Sequence, residues 1–71
     1  MFDYSDLLGK IKAKYGTQSD FAEALGMSLS TLNQKLNNKS DWDTPEMVKA
    51  CELLDIELAD ISQYFFKIKN C

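Results

Sequence analysis

The sequence predicts an all-α domain of five short helices, and three observations predict it. Apolar residues recur at 3.6-residue spacing in segment after segment. Glycines and capping residues fall between those segments, at Gly16-Thr17, Gly26 to Ser28 and Thr44-Pro45. The chain has 71 residues, 45% of them apolar, which suffices for one core and leaves no room for a deep enzyme pocket. A chain of this size buries only about 60% of its unfolded surface, so the core has to be a tight helical cluster.

The first helix is expected over about residues 4–15, with Tyr4, Leu7, Leu8, Ile11 and Tyr15 on one face and Gly16 ending it. Thr17 reads as the N-cap of the second helix, with Asp20 three residues on in a near capping box. Phe21, Ala22 and Leu25 form its inward stripe, and Gly26 stops it. Ser28 caps the third helix, where Leu29, Leu32 and Leu36 share one side and Ser30, Asn33, Gln34 and Asn37 the other. Residues 37–43 are a polar loop. Thr44-Pro45-Glu46 then reads as a helix start, with Thr44 the cap and proline at N1. The fourth helix is expected to bury Met47, Val48, Cys51 and Leu54, and a fifth, near 58–65, Leu58, Ile61 and Phe65. The tail from Phe66 alternates apolar and polar, as a strand or a fraying end does. Trp42 reads as a lid over the core. Phe65-Phe66 reads as core or dimer seam.

Composition excludes several classes of function. The chain has no histidine, hence no Ser-His or Cys-His dyad. Cys51 and Cys71 alone do not make a zinc site. Cys51 reads as a buried thiol and Cys71 as an exposed one. No apolar run spans a bilayer, and the amino terminus lacks a basic signal region. The expectation is a cytoplasmic, non-enzymatic protein with no cofactor, metal, membrane or small-molecule substrate. The net charge of −3 is unevenly spread. Residues 1–39 carry five lysines against four acids, and residues 40–71 three against seven.

The most informative stretch is 18–37. Two helices that cross steeply need a small residue at their contact, a corner residue that tolerates positive φ, and a branched apolar anchor. Ala22, Gly26 and Leu32 supply these at the offsets of a DNA-binding helix-turn-helix. The third helix adds amides and hydroxyls, groups that suit base edges and phosphates, and no acid occurs from Gly26 to Ser40.

On Gly16-Thr17-Gln18, Phe21-Ala22, Leu25-Gly26-Met27-Ser28, Ser30-Thr31-Leu32 and Leu36-Asn37, the chain resembles the phage repressor/Cro-like (XRE) helix-turn-helix family. It is similar in particular to small Cro-like proteins of Gram-positive phages and prophages. The resemblance implies a compact five-helix lambda-repressor-like domain and a Cro-type transcriptional repressor that inserts its third helix in the major groove of an operator. By that resemblance Gln18 touches a phosphate and Ser28 caps the recognition helix beside the backbone. Ser30, Thr31, Asn33 and Gln34 face the groove, while Asn37, Asn38 and Lys39 hold phosphates. One helix reads too few bases, so a homodimer is expected, formed through residues 58–71.

Leu29 departs from the family pattern, which often places a polar base reader there. It either leans inward with Leu32, meets a thymine methyl, or anchors another protein. The last option, with the acidic balance, defines an alternative: an antirepressor or modulator that binds a partner phage repressor's helix-turn-helix domain by protein contact.

Overall fold

The computed structural model describes residues 1–69. It contains α1 (Ser5–Tyr15), α2 (Gln18–Leu25), α3 (Leu29–Leu36), α4 (Thr44–Leu54), a single 3-10 turn (Leu58–Asp60) and α5 (Ile61–Phe65). The all-α fold class holds. Leu7 and Ile11 of α1, Phe21 and Ala22 of α2, Leu32 of α3, Ala50, Cys51 and Leu54 of α4, and Phe65 of α5 meet in one core. Each of the large side chains among them contributes about 1.5–3 kcal/mol by leaving water. Trp42 closes the core as a lid, its ring edge-on to Phe65 at 5.1 Å. Burial pushes the Cys51 thiol up from its ordinary value, so it stays protonated and unreactive at neutral pH. Cys71 and Asn70 lie outside the described residues.

Both α2 and α4 end in the same hydrogen-bonded motif. At the end of α2, Gly26 takes a left-handed φ of 81° and the Met27 N–H donates to Ala22 O at 3.0 Å. At the end of α4, Asp55 takes φ 57° and the Ile56 N–H donates to Cys51 O at 2.9 Å. The motif folds the second residue beyond each helix back onto it. That is why Ile56 is buried, although it was not among the expected core residues. Leu58, expected inside, is 58% exposed instead. The fifth helix likewise starts later than expected, because residues 58–60 wind more tightly. Gly26→Ala forces a side chain into left-handed backbone with nothing nearer its Cβ than Lys49 Nζ at 4.0 Å. The cost is therefore conformational, about 1–2 kcal/mol, and thermal unfolding should show a midpoint about 4–8 °C lower per kcal/mol.

Two further expectations are corrected. The N-cap of α4 is Asp43 rather than Thr44: its carboxylate accepts from the Glu46 N–H at 2.9 Å, and Glu46 accepts from the Asp43 N–H at 3.1 Å. This reciprocal pair satisfies two orphan donors, which the Thr44 hydroxyl could not do alone. Val48, expected to be buried, is only half-buried, as are Leu8 and Tyr15 of α1. The alternating tail pairs with the amino terminus. Phe2 and Ile68 form an antiparallel bridge, with Asp3 N–H donating to Lys67 O at 2.7 Å and Lys69 N–H to Met1 O at 3.0 Å.

Candidate interaction site on the third helix

The corner between α2 and α3 holds the site in place. The Ser28 hydroxyl caps α3, accepting from the Thr31 N–H at 3.1 Å, and its own O–H lies 2.9 Å from Thr31 Oγ1. Lys49 of α4 reaches the Leu25 carbonyl at 3.5 Å and so braces the turn from behind. Leu32 and Leu36 bury the inner side of α3, leaving its outer side fixed and open.

That outer side is a shallow concavity of about 360 Å³, lined by Leu29, Ser30, Asn33, Gln34, Asn37 and Lys39. Six of the expected contact residues therefore do come together, counting Leu29. Leu29 does not lean inward; it is 43% exposed. Ser30, Gln34, Asn37 and Lys39 are exposed, and Asn33 and Thr31 half-buried. The other expected contacts, Gln18, Ser28, Thr31 and Asn38, lie outside the lining of that concavity. Gln18 is half-buried over a separate groove between α1 and α2, beside Leu8, Ile11 and Lys12. Ser28 is occupied as a cap. The Asn37 amide donates back to Asn33 O at 2.8 Å.

Asn38 is spent on structure. It takes a left-handed φ of 62°. Its Oδ1 accepts from the Phe2 N–H and its Nδ2 donates to the Phe2 carbonyl, both at 2.9 Å. This pair of hydrogen bonds ties the end of α3 to the amino-terminal segment and fixes the amide there, with one N–H left over. Sequence reasoning missed the clamp. Asparagine directly after a helix was the available signal, because it tolerates left-handed backbone.

The electrostatics of α3 are the second surprise. Lys35, its one charged residue, is buried at 7% exposure. Its ammonium donates to Asp41 O at 2.8 Å, pairs with Glu46 Oε1 at 2.8 Å and lies 6.0 Å from the Trp42 ring centroid. The exposed side of α3 thus carries no charge at all. Elsewhere Lys14 pairs with Asp55 and Lys67 with Asp6. The Lys14 bond holds the Asp55 carboxyl below the usual carboxylate range. All eight cationic side chains are lysines, so the chain has no arginine. Phosphate anchoring comes from clustered Lys and Arg, and arginine makes the commonest specific base contact. Around the α3 concavity only Lys39 offers such a charge, while the neighbouring α2 exposes Asp20 and Glu23.

Two short helices joined at a glycine corner, with the one cation of α3 turned inward and acids exposed on α2, define a small all-helical domain whose open face is poor in positive charge. The chain belongs to the family described as Protein of unknown function (DUF739), whose model matches residues 1–68. None of the curated proteins matches the sequence. Among solved structures it is similar to the solution structure of the modulator of repression (MOR) of the temperate bacteriophage TP901-1 from Lactococcus lactis. The two are 47% identical with a TM-score of 0.83, over 96% of this chain and 95% of that one.

These findings correct the assignment to the phage repressor/Cro-like (XRE) family, and with it the reading as a DNA-binding Cro-type repressor. The motif of Ala22, Gly26 and Leu32 reports how two helices meet and does not by itself specify a DNA partner. The expected operator and homodimer find no support in the match either. Among the described residues, no helix is long and apolar enough to cross a membrane.

Proposed function

We propose that this chain is a modulator of repression, an antirepressor that binds the helix-turn-helix domain of a partner phage repressor by protein–protein contact. It acts in the cytoplasm without catalysis or cofactor. The observation that carries the reading is the 47% identity to a phage modulator of repression along nearly the whole of both chains. The site supports it. Leu29 offers an apolar anchor on a polar face whose one charged residue is Lys39, a composition that suits an interface. Asp20 and Glu23 flank that face with charge complementary to a basic, DNA-binding partner. Ser30, Asn33 and Gln34 supply hydrogen bonds around the anchor.

Fluorescence anisotropy on a labelled operator duplex tests the proposal, using a phage repressor and its operator. The chain alone should leave the anisotropy unchanged across a salt series. Added to the repressor, it should shift the repressor's operator-binding curve. Tight, steeply salt-dependent binding of the chain alone would reject the proposal.

A further inference from the structure

A second concavity, of about 260 Å³, opens between the amino-terminal strand, the loop after α3 and α5. It is unusually aromatic. Tyr4, Trp42 and Phe65 are buried along it, while Phe2 is half-buried and Phe66 is 46% exposed. Phe2 meets Phe66 edge-on at 5.9 Å and Tyr4 at 6.3 Å, so the rings form one continuous lining. Its one charged lining group is the carboxylate of Asp41, an exposed residue.

Three observations say what this groove takes. Asp41 enters none of the ion pairs among the described residues. It is close enough to Tyr4 to act with burial in raising the phenol's pKa. The Nε1 of Trp42 is, among the described residues, the one buried side-chain polar atom without a hydrogen-bond partner. Aromatic rings beside an uncompensated carboxylate attract a cation. The cavity is too large for a bare metal ion and lacks its oxygen ligands. A guanidinium fits better than an ammonium, because it is planar, weakly hydrated, stacks on rings and pairs with a carboxylate through two N–H groups. Lys35, which approaches Trp42 from within the chain, is already neutralised by Glu46 at 2.8 Å, and Lys67 by Asp6 at 3.5 Å. Neither leaves the groove compensated.

We infer that the groove is a binding site for an arginine side chain of a protein partner, resting against the Phe66 and Phe2 rings and paired with Asp41. The partner assignment rests on the modulator reading, since a DNA-binding repressor displays arginines. It also follows the chain's layout. Lys39, which lines the α3 concavity, and Asp41, which lines the aromatic groove, are two residues apart in the same loop.

The test is an NMR titration of the full chain with a blocked Gly-Arg-Gly peptide and with the same peptide carrying citrulline, the neutral isostere. The chain has one tryptophan, so the indole N–H of Trp42 gives a single resonance. That resonance should move saturably with the arginine peptide, and the citrulline peptide should bind about tenfold more weakly, the factor that corresponds to losing one charge-assisted contact. Asp41→Asn and, independently, Phe66→Ala should each weaken binding about threefold or more, within the range of a cation–π or exposed ion pair. Glu52→Gln, on the exposed side of α4 and outside the groove, should leave it unchanged. An unmoved indole, equal binding of both peptides, or a response to choline without one to arginine would each overturn the assignment. The two proposals fail separately. Peptide binding without repressor binding removes the modulator reading and keeps the groove; repressor binding with a silent groove does the reverse.

Discussion

Leu29→Ser is expected to weaken binding to the repressor's helix-turn-helix domain about thirtyfold, while the chain's melting temperature hardly moves. The first half follows from position. Leu29 is the large apolar side chain in the α3 concavity, 43% exposed, with hydrogen-bonding groups around it. Truncating such an anchor costs about 2 kcal/mol, which is about thirtyfold in affinity. The second half follows from its exposure, because surface substitutions away from caps and buried networks stay within about 0.5 kcal/mol. Calorimetric titration of wild type and variant into the repressor domain measures the first, and a thermal melt the second. Unchanged affinity would place the interface elsewhere on the molecule.

Lys35→Ala should produce the opposite pattern, a large loss of stability. The Lys35 ammonium bonds the Asp41 carbonyl and the Glu46 carboxylate, and its stem fills space beside Trp42. Glu46 in turn caps α4 through the Asp43 N–H. Removing the lysine leaves a carboxylate and a carbonyl short of a partner and opens a gap. A fully buried pair loses about 3–5 kcal/mol when broken. The Glu46 side chain is 26% exposed, so water relieves part of the penalty and about 2 kcal/mol is expected. For a domain of this size that lowers the midpoint by about 8–16 °C. Lys35→Met, which keeps the stem, should lose about half as much. Raising the salt concentration should change the wild-type midpoint little, since a pair this enclosed is poorly screened. A drop no larger for alanine than for methionine would show that the ion pair, not packing, is what Lys35 contributes.

The fold was legible where local chemistry and burial agreed. Thr17, Ser28 and the two glycines at φ 82° and φ 81° set the helix ends as their residue types require. Trp42 and Cys51 went inside as hydrophobes beside a small core. The reading slipped where one local signal outranked another. Thr44 lost the cap to Asp43 because Glu46 completes a reciprocal pair with the carboxylate. Leu58 lost its core place to Ile56 because Asp55 turns the chain left-handed a residue after α4.

The site was legible as a location and not as a function. Ser30, Asn33, Gln34 and Leu29 do share one open face. Whether that face meets phosphate or protein depends on charge in three dimensions, and sequence counts Lys35 as a cation of the third helix. Only its burial against Glu46 and Asp41 removes it from the surface. Asn38 misled for a related reason: an amide after a helix looks free until its partner, 36 residues away in sequence, is known to be Phe2.

The inward turn of Lys35 also bears on redesign. With its ammonium held by Glu46 and with Asp20 and Glu23 exposed on α2, the charge around the third helix is set by side chains alone, without moving a helix. Arginine at Ser30 and Gln34, with Asp20 and Glu23 neutralised, would put a positive reading face on an unaltered backbone. Families of this shape are therefore better sorted by the charge their third helix shows to solvent than by the motif that bends it.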